Sequence, residues 1–219
     1  MDVTFDTPMP GVVVAQPKRG FRYGSEAMWL VGAALSVGGR NVLDLGTGSG
    51  VVPAMLARHG WQGTGIDVRA EWAPLWEETR RRSVIGDSVR FVVSEVVDVV
   101  GSFDVVVSNP PYFRFGRGPT ATDPWKRAAR TESTADLSDF VAAAARCVTQ
   151  LGTVIFVVPR EREHEVPGHC VYRIGARRSV VVGSPGAPSP SQRSVEFVTG
   201  ASWVERATRI VVDEALRGV

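Results

Sequence analysis

Short strand-like runs recur along this chain at 39–46, 63–67, 89–94, 103–111 and 152–159. Most are dense in valine, isoleucine and leucine, and they do not alternate with polar residues. A strand with one wet face alternates, whereas a strand that is apolar throughout is covered on both faces, as in a parallel sheet flanked by helices. Helical patterns lie between and before the runs. The segment 24–35 is an apolar helix with Ser25 as its expected N-cap. The segment 52–60 is a helix stopped by Gly60, and 71–83 a helix with Pro74 in its first turn. The segment 137–152 carries apolar residues at spacings of three and four and is expected to stop at Gly152. Repeated βα units predict an α/β fold with a doubly wound, mostly parallel sheet. Beyond Pro159 the runs 170–175, 179–183 and 193–200 are expected to close that sheet as antiparallel strands. A proline-rich loop spans 184–192, and 203–218 has the pattern of a final helix. With no internal repeat, a single domain is expected over 1–219. Residues 1–23 would lead into it, 24–159 form its core, and 160–219 supply the closing strands and C-terminal helix.

Composition narrows the functional classes. At 44% hydrophobic and 22% charged, the 219 residues have an ordinary globular profile. No apolar stretch reaches the roughly 18 residues of a membrane span, and the acidic, proline-bearing start does not read as a signal peptide. Cys147 and Cys170 have no disulfide or metal spacing, which fits a reducing cytoplasm. His164, His169 and Cys170 are irregularly spaced, so no metal site is expected. His59, near a helix end, is expected to partner the helix dipole rather than act as a base. The net charge of +2 does not demand a polyanion partner. Basic clusters at 18–22, 80–82, 114–118, 126–130 and 176–178 can serve as phosphate contacts or as solvated loops and helix ends.

Two motifs carry chemistry. The first, "LDLGTGSG" (43–50), links the first strand to its helix. Gly46, Gly48 and Gly50 permit a tight turn and close approach of a ligand, and Thr47 lies among them. The spacing is G-x-G-x-G, not G-x-G-x-x-G. Asp44 stands two residues before the first glycine, where its carboxylate can face an ammonium. No Lys-Ser/Thr follows, which excludes a nucleotide P-loop. Together these favour S-adenosylmethionine over NAD or FAD. Asp67 ends the next strand, where an acid can accept the hydroxyls of an adenosine ribose or else cap the following helix. Val68 beside it is assigned to the same ligand. Trp72 and Trp76, four apart on one helix, are expected to pack in the core.

The second motif is "SNPPY" (108–112), at the end of the fourth strand. Pro110 and Pro111 fix their own φ and disfavour a helical backbone at the residue before each. Taken alone, the stretch is a strand terminator. At the same sheet edge as the glycine loop it can do more. The Asn109 side-chain oxygen and the Pro110 carbonyl can each accept one N–H of a planar amino group. Its lone pair is thereby released from the ring, and Tyr112 can stack on that ring.

"DLGTGSG", "GID" and "FDVVVSNPPYF" resemble the class I methyltransferases that modify exocyclic or amide nitrogens, which share a Rossmann-like sheet. "QPKRGFRYGSEAMWL" (16–30) and "AARTE" (128–132) are similar to the bacterial valine-tRNA adenine-N6 methyltransferases, and the likeness runs over about 10–160. The resemblance implies S-adenosylmethionine as cofactor and tRNA or another RNA as partner. It implies that Tyr23, Gly24 and Ser25 close over the methionine end, that Asp44, Gly46 and Gly48 hold the amino-acid portion, and that Asp67 holds the ribose. Asn109, Pro110 and Tyr112 would hold the target amine. Lys18, Arg19, Phe113, Arg114 and Arg130 would contact the acceptor. Two features depart from the family pattern. Ser94, followed by Glu95, stands where such enzymes often carry an acid for the adenine amino group, and "RAEWAPLWEETRRR" lacks the usual A-x₃-A-x₂-N run. The match is weak after Pro159. Glutamine methylation of release factors, methylation of rRNA, DNA or a small amine, and a non-catalytic S-adenosylmethionine-binding module are the alternatives. The first is ranked lower because about forty residues precede the glycine-loop strand, too few for a substrate domain.

Overall fold

The structure, a computed structural model, describes residues 2–111, 135–185 and 194–198. An N-terminal hairpin comes first, β1 (Val3–Met9) and β2 (Val12–Pro17), followed by α1 (Ser25–Val37). Then come β3 (Asn41–Leu45), α2 (Val51–Arg58), β4 (Gln62–Asp67), α3 (Ala73–Arg82), β5 (Val89–Val93) and β6 (Phe103–Ser108). The rest is α4 (Leu137–Cys147), β7 (Val148–Pro159), β8 (Cys170–Ile174), β9 (Arg178–Gly183) and β10 (Ser194–Val198).

β3 to β10 form one eight-stranded sheet in the order β10-β8-β9-β7-β6-β3-β4-β5. β4 and β5 extend it to one side of β3, and β6 and β7 to the other, all parallel. The strand order therefore reverses between β3 and β6. In open α/β sheets that reversal opens a crevice at the carboxyl ends of the strands.

The uniformly apolar strands are explained by two cores. Val42, Val105, Val107, Ile155 and Val157 face α1 and α2. Their neighbours Leu43, Leu45, Val106, Phe156 and Val158 face α4. A third cluster, Ala15, Trp72, Leu75 and Trp76, joins the hairpin to α3. Burying Trp72 and Trp76 there matches the core role expected of them. β2 also docks on α3 through hydrogen bonds. Ala15 N–H donates to Thr79 Oγ1 at 3.0 Å, and Val13 N–H to Ser83 Oγ at 2.9 Å.

Several expectations are corrected. The hairpin occupies a stretch read only as a lead-in segment. Helix α1 is capped at Gly24 in extended backbone, without a side-chain bond, so Ser25 is its first residue and not its N-cap. α4 ends at Cys147, and β7 begins at once with β-branched Val148 and Thr149. Gly152 is thus no helix stop. It lies within β7, where a Cβ would sit 2.6 Å from the Asp104 carbonyl of the neighbouring strand. β8 and β9 form the expected antiparallel pair, but β10 lies parallel to β8, so β9 alone runs against the sheet. The final helix over 203–218 lies outside the described residues.

Thr79 is fully buried. Thr79→Val leaves the Ala15 N–H unpaired and is expected to destabilise the protein by about 1–3 kcal/mol, read as a lower urea midpoint at unchanged slope. An unchanged midpoint would mean that this bond contributes nothing to docking the hairpin.

Candidate active site

The glycine loop is the turn from β3 into α2, at the crevice. Three of its glycines have positive φ: Gly46 at 72°, Gly48 at 53° and Gly50 at 76°. At Gly50 the requirement is doubled, because a Cβ would overlap the ring of Phe91. The loop is tied to the end of β4. Thr47 N–H donates to the Ile66 carbonyl at 2.8 Å. Gly48 N–H donates to Asp67 Oδ2 at 3.0 Å, and its carbonyl accepts from Trp76 Nε1 at 2.8 Å. Both backbone polar groups of Gly48, one from each of the two peptides that flank its Cα, are therefore fixed.

Two carboxylates sit under this loop. Asp44 is buried and accepts a 2.6 Å bond from the Thr47 hydroxyl. Burial pushes its carboxyl up to about 7, the Thr47 bond opposes the shift, and the nearby Asp67 charge adds to it. An incoming ammonium would restore the ionised form. Asp67 is also buried and accepts from Gly48 N–H, from Arg69 N–H at 3.0 Å and from Arg69 Nε at 3.2 Å. Val68 and Val93, at the ends of β4 and β5, remain 38% and 45% exposed, which leaves apolar surface beside Asp67 for a flat ring. Ser94 N–H donates to the Asp67 carbonyl at 3.1 Å, and its hydroxyl donates to the Glu95 carbonyl at 3.0 Å. Oγ of Ser94 thus faces a newcomer as an acceptor.

β6 delivers the second motif to the same edge. Ser108 is fully buried, and its hydroxyl donates to the Leu45 carbonyl at 2.8 Å. That bond fixes the residue before Asn109 against the residue before Gly46. Asn109 is half-buried and Pro110 buried. Tyr112, Phe113, Arg114 and Arg130 lie outside the described residues.

Tyr23, Gly24 and Ser25 stand at the N-terminus of α1, where Glu26 pairs with Arg178, the residue opposite Pro159 at the carboxyl end of β7. Tyr23 N–H donates to Gln16 Oε1 at 3.4 Å. Fully buried Gln16 in turn donates to Asp6, which also pairs with Arg22 at 2.6 Å. Burial, then the Asp6 charge, holds the Tyr23 phenol above its ordinary range. Lys18 and Arg19 are exposed on the connection from β2 to α1.

Sequence reasoning missed three contributors. Phe21 packs against Gly48, 3.4 Å from where a Cβ would stand, and Phe140 of α4 packs against Gly46 at 3.2 Å. Ser108 is the third. A lone phenylalanine or serine carries no local signal of such a contact. Burial and then Arg58 hold the His59 imidazole below its ordinary value. No group of three potential metal ligands occurs among the described residues. None of the described helices is long and apolar enough to cross a membrane.

The strand order, one reversed strand near the edge, and a glycine loop and acid at the switch point define the class I methyltransferase fold. Within that class the chain belongs to the Methyltransferase small domain family, whose sequence model matches residues 24–166. It is 32% identical over 153 residues to a tRNA1(Val) (adenine(37)-N6)-methyltransferase from Mannheimia succiniciproducens, covering 67% of this chain and 62% of that protein. A protein of the same name from Aeromonas salmonicida is 33% identical, covering 58% and 55%. The chain thus spans about three-fifths of the length of these curated relatives. Among solved structures, a T. thermophilus 16S rRNA N2 methyltransferase with AdoMet and guanosine superposes with a TM-score of 0.55 at 17% identity, covering 85% of this chain and 47% of that one. A ribosomal protein L11 methylase from Lactobacillus delbrueckii gives 0.54 at 19%, covering 73% and 78%.

The Asp44 carboxyl makes a testable link to stability. Its folded value lies above its unfolded one, so its stabilising contribution is full below about pH 4 and is lost as pH rises toward about 7. Asp44→Asn removes that slope. The variant is expected to be more stable than the parent at about pH 8, by up to about 4 kcal/mol, with the two converging in acid. Parallel pH–stability curves would contradict the assignment.

Proposed function

We propose that this chain is an S-adenosylmethionine-dependent N-methyltransferase acting on the N6 amino group of an adenine beside the anticodon of a tRNA. The carrying observation is the Ser108–Leu45 bond, which sets Asn109 and Pro110 beside the glycine loop in one crevice. The names of the relatives support the choice of tRNA and of N6.

The residues present fit the cofactor. A buried carboxyl at Asp44 suits an ammonium, and the fixed turn Gly46–Thr47–Gly48, closing at Gly50, suits the amino-acid portion against main chain. Asp67 suits a ribose, with Val68, Ser94 and Glu95 around the adenine. Tyr23, Gly24 and Ser25 cover the methionine end. When bound, S-adenosylmethionine supplies a methyl carbon on a cationic sulfur. The chain supplies the orientation. Asn109 Oδ1 and the Pro110 carbonyl each accept one N–H of the target amine, and Pro111 keeps that corner rigid. Accepting both protons turns the nitrogen lone pair away from the ring and along the line of attack, so positioning and fixed dipoles carry the rate. The product nitrogen releases its extra proton to water. Tyr112 stacks on the flipped base, Phe113 contacts the acceptor, and Lys18, Arg19, Arg114 and Arg130 contact phosphates. The chain acts in the cytoplasm as one domain over 1–219.

Asn109→Ala is expected to lower methyl transfer to purified tRNA by roughly a hundred- to a thousandfold. Affinity for S-adenosylhomocysteine should stay within about threefold. Full turnover in this variant would remove Asn109 from the chemistry. Labelled S-adenosylmethionine with total tRNA, followed by nucleoside mass spectrometry, should yield N6-methyladenosine. No label in tRNA, with label appearing when a release factor, another RNA or a small amine is offered in its place, would overturn the choice of acceptor. Binding of tRNA should weaken steeply with salt if the basic residues contact phosphates, and a flat salt response would exclude them.

A further inference from the structure

Asp67 is already engaged by three donors. A carboxylate has about four acceptor positions, two on each oxygen. Oδ1 takes both Arg69 N–H and Arg69 Nε, and Oδ2 takes Gly48 N–H. Among the described residues one position is left, on Oδ2. A ribose that donates both its vicinal hydroxyls needs two.

The three donors differ in what it takes to move them. Gly48 N–H is main chain, and it is held from both sides: the Thr47 carbonyl of its own peptide accepts from Gly50 N–H at 3.0 Å, and the Gly48 carbonyl accepts from Trp76. Arg69 N–H is main chain leading into a short 3₁₀ turn at Ala70–Trp72. The Arg69 guanidinium is the one donor on a rotatable side chain. It also lies 4.9 Å from the centre of the Trp72 ring, so it keeps a favourable surface to rest on when it leaves the carboxylate. The pair is largely shielded, with side chains 18% and 8% exposed, so solvent screens the contact little.

Resting on the assignment of Asp67 to a ribose, we propose that Arg69 competes with that ribose for Asp67 and so sets how tightly the chain holds adenosine-bearing ligands. On binding, the guanidinium swings off Oδ1 toward Trp72, and the second hydroxyl takes its place. Arg69 is then a residue that weakens binding, which lets the spent nucleoside leave after transfer. This is the reverse of the usual expectation for an arginine beside a ligand.

The test is calorimetric binding of S-adenosylhomocysteine to the full chain. This ligand lacks the sulfonium, so loss of a nearby positive charge does not itself mimic the effect. Arg69→Met keeps the apolar stem over Trp72 and removes the donor. It is expected to bind roughly threefold to thirtyfold tighter than the parent, and Arg69→Ala should change in the same direction. In an Asp67→Asn background the gain from Arg69→Met should disappear. Unchanged or weaker binding by Arg69→Met, or a gain that persists without Asp67, would overturn the competition and leave the cofactor assignment standing. A parent protein with no measurable affinity for the ligand would overturn both.

Discussion

One residue organises this molecule. Gly48 has its N–H on Asp67 and its carbonyl on Trp76, and those two side chains belong to different elements, the end of β4 and helix α3. Fixing that residue fixes the curvature of the loop between β3 and α2. It also ties the carboxylate that would meet a ligand to the main chain that would cradle it. Phe21, arriving from the N-terminal hairpin, packs on the same glycine, and Trp72 lies beneath it. The connection that follows the hairpin therefore packs against the loop, and the hairpin itself is held to α3 through Ala15.

The arrangement is stable and yet poised. Asp44 is buried, and burial pushes its carboxyl up to about 7. A ligand with an ammonium group turns that cost into an attraction, because ionisation and binding favour each other. Asp67 shows the same logic through hydrogen bonds, with acceptor positions filled by the chain's own donors until a ligand takes one over. Both acids are pre-positioned, and neither is left unsatisfied while it waits.

Much of this was legible in the sequence. The apolar strands gave a two-faced parallel sheet because burial on both faces removes the alternation a one-sided strand would show. The G-x-G-x-G spacing located the loop because positive φ at 46, 48 and 50 admits few other residues. Other features were less accessible. The Pro10–Gly11 turn between β1 and β2 was a hairpin signal, with Gly11 at φ 82°, but it stood in a stretch read for its charge. The boundary between α4 and β7 fell at Val148 because β-sheet pairing with Phe103 outweighed a helical period that continued past it. Ser108, Phe21 and Phe140 act through contacts with residues distant in sequence, and no local pattern encodes those.

The central claim is that one crevice orients an adenosine-bearing methyl donor with its sulfur toward the Asn109–Pro110 corner. A crystal structure with S-adenosylhomocysteine tests this most directly. The account predicts ribose hydroxyls on Asp67, the amino group beside Asp44, and the sulfur facing Asn109 across open space. A ligand bound elsewhere on the sheet, or one whose sulfur is separated from Asn109 by packed side chains, would contradict it.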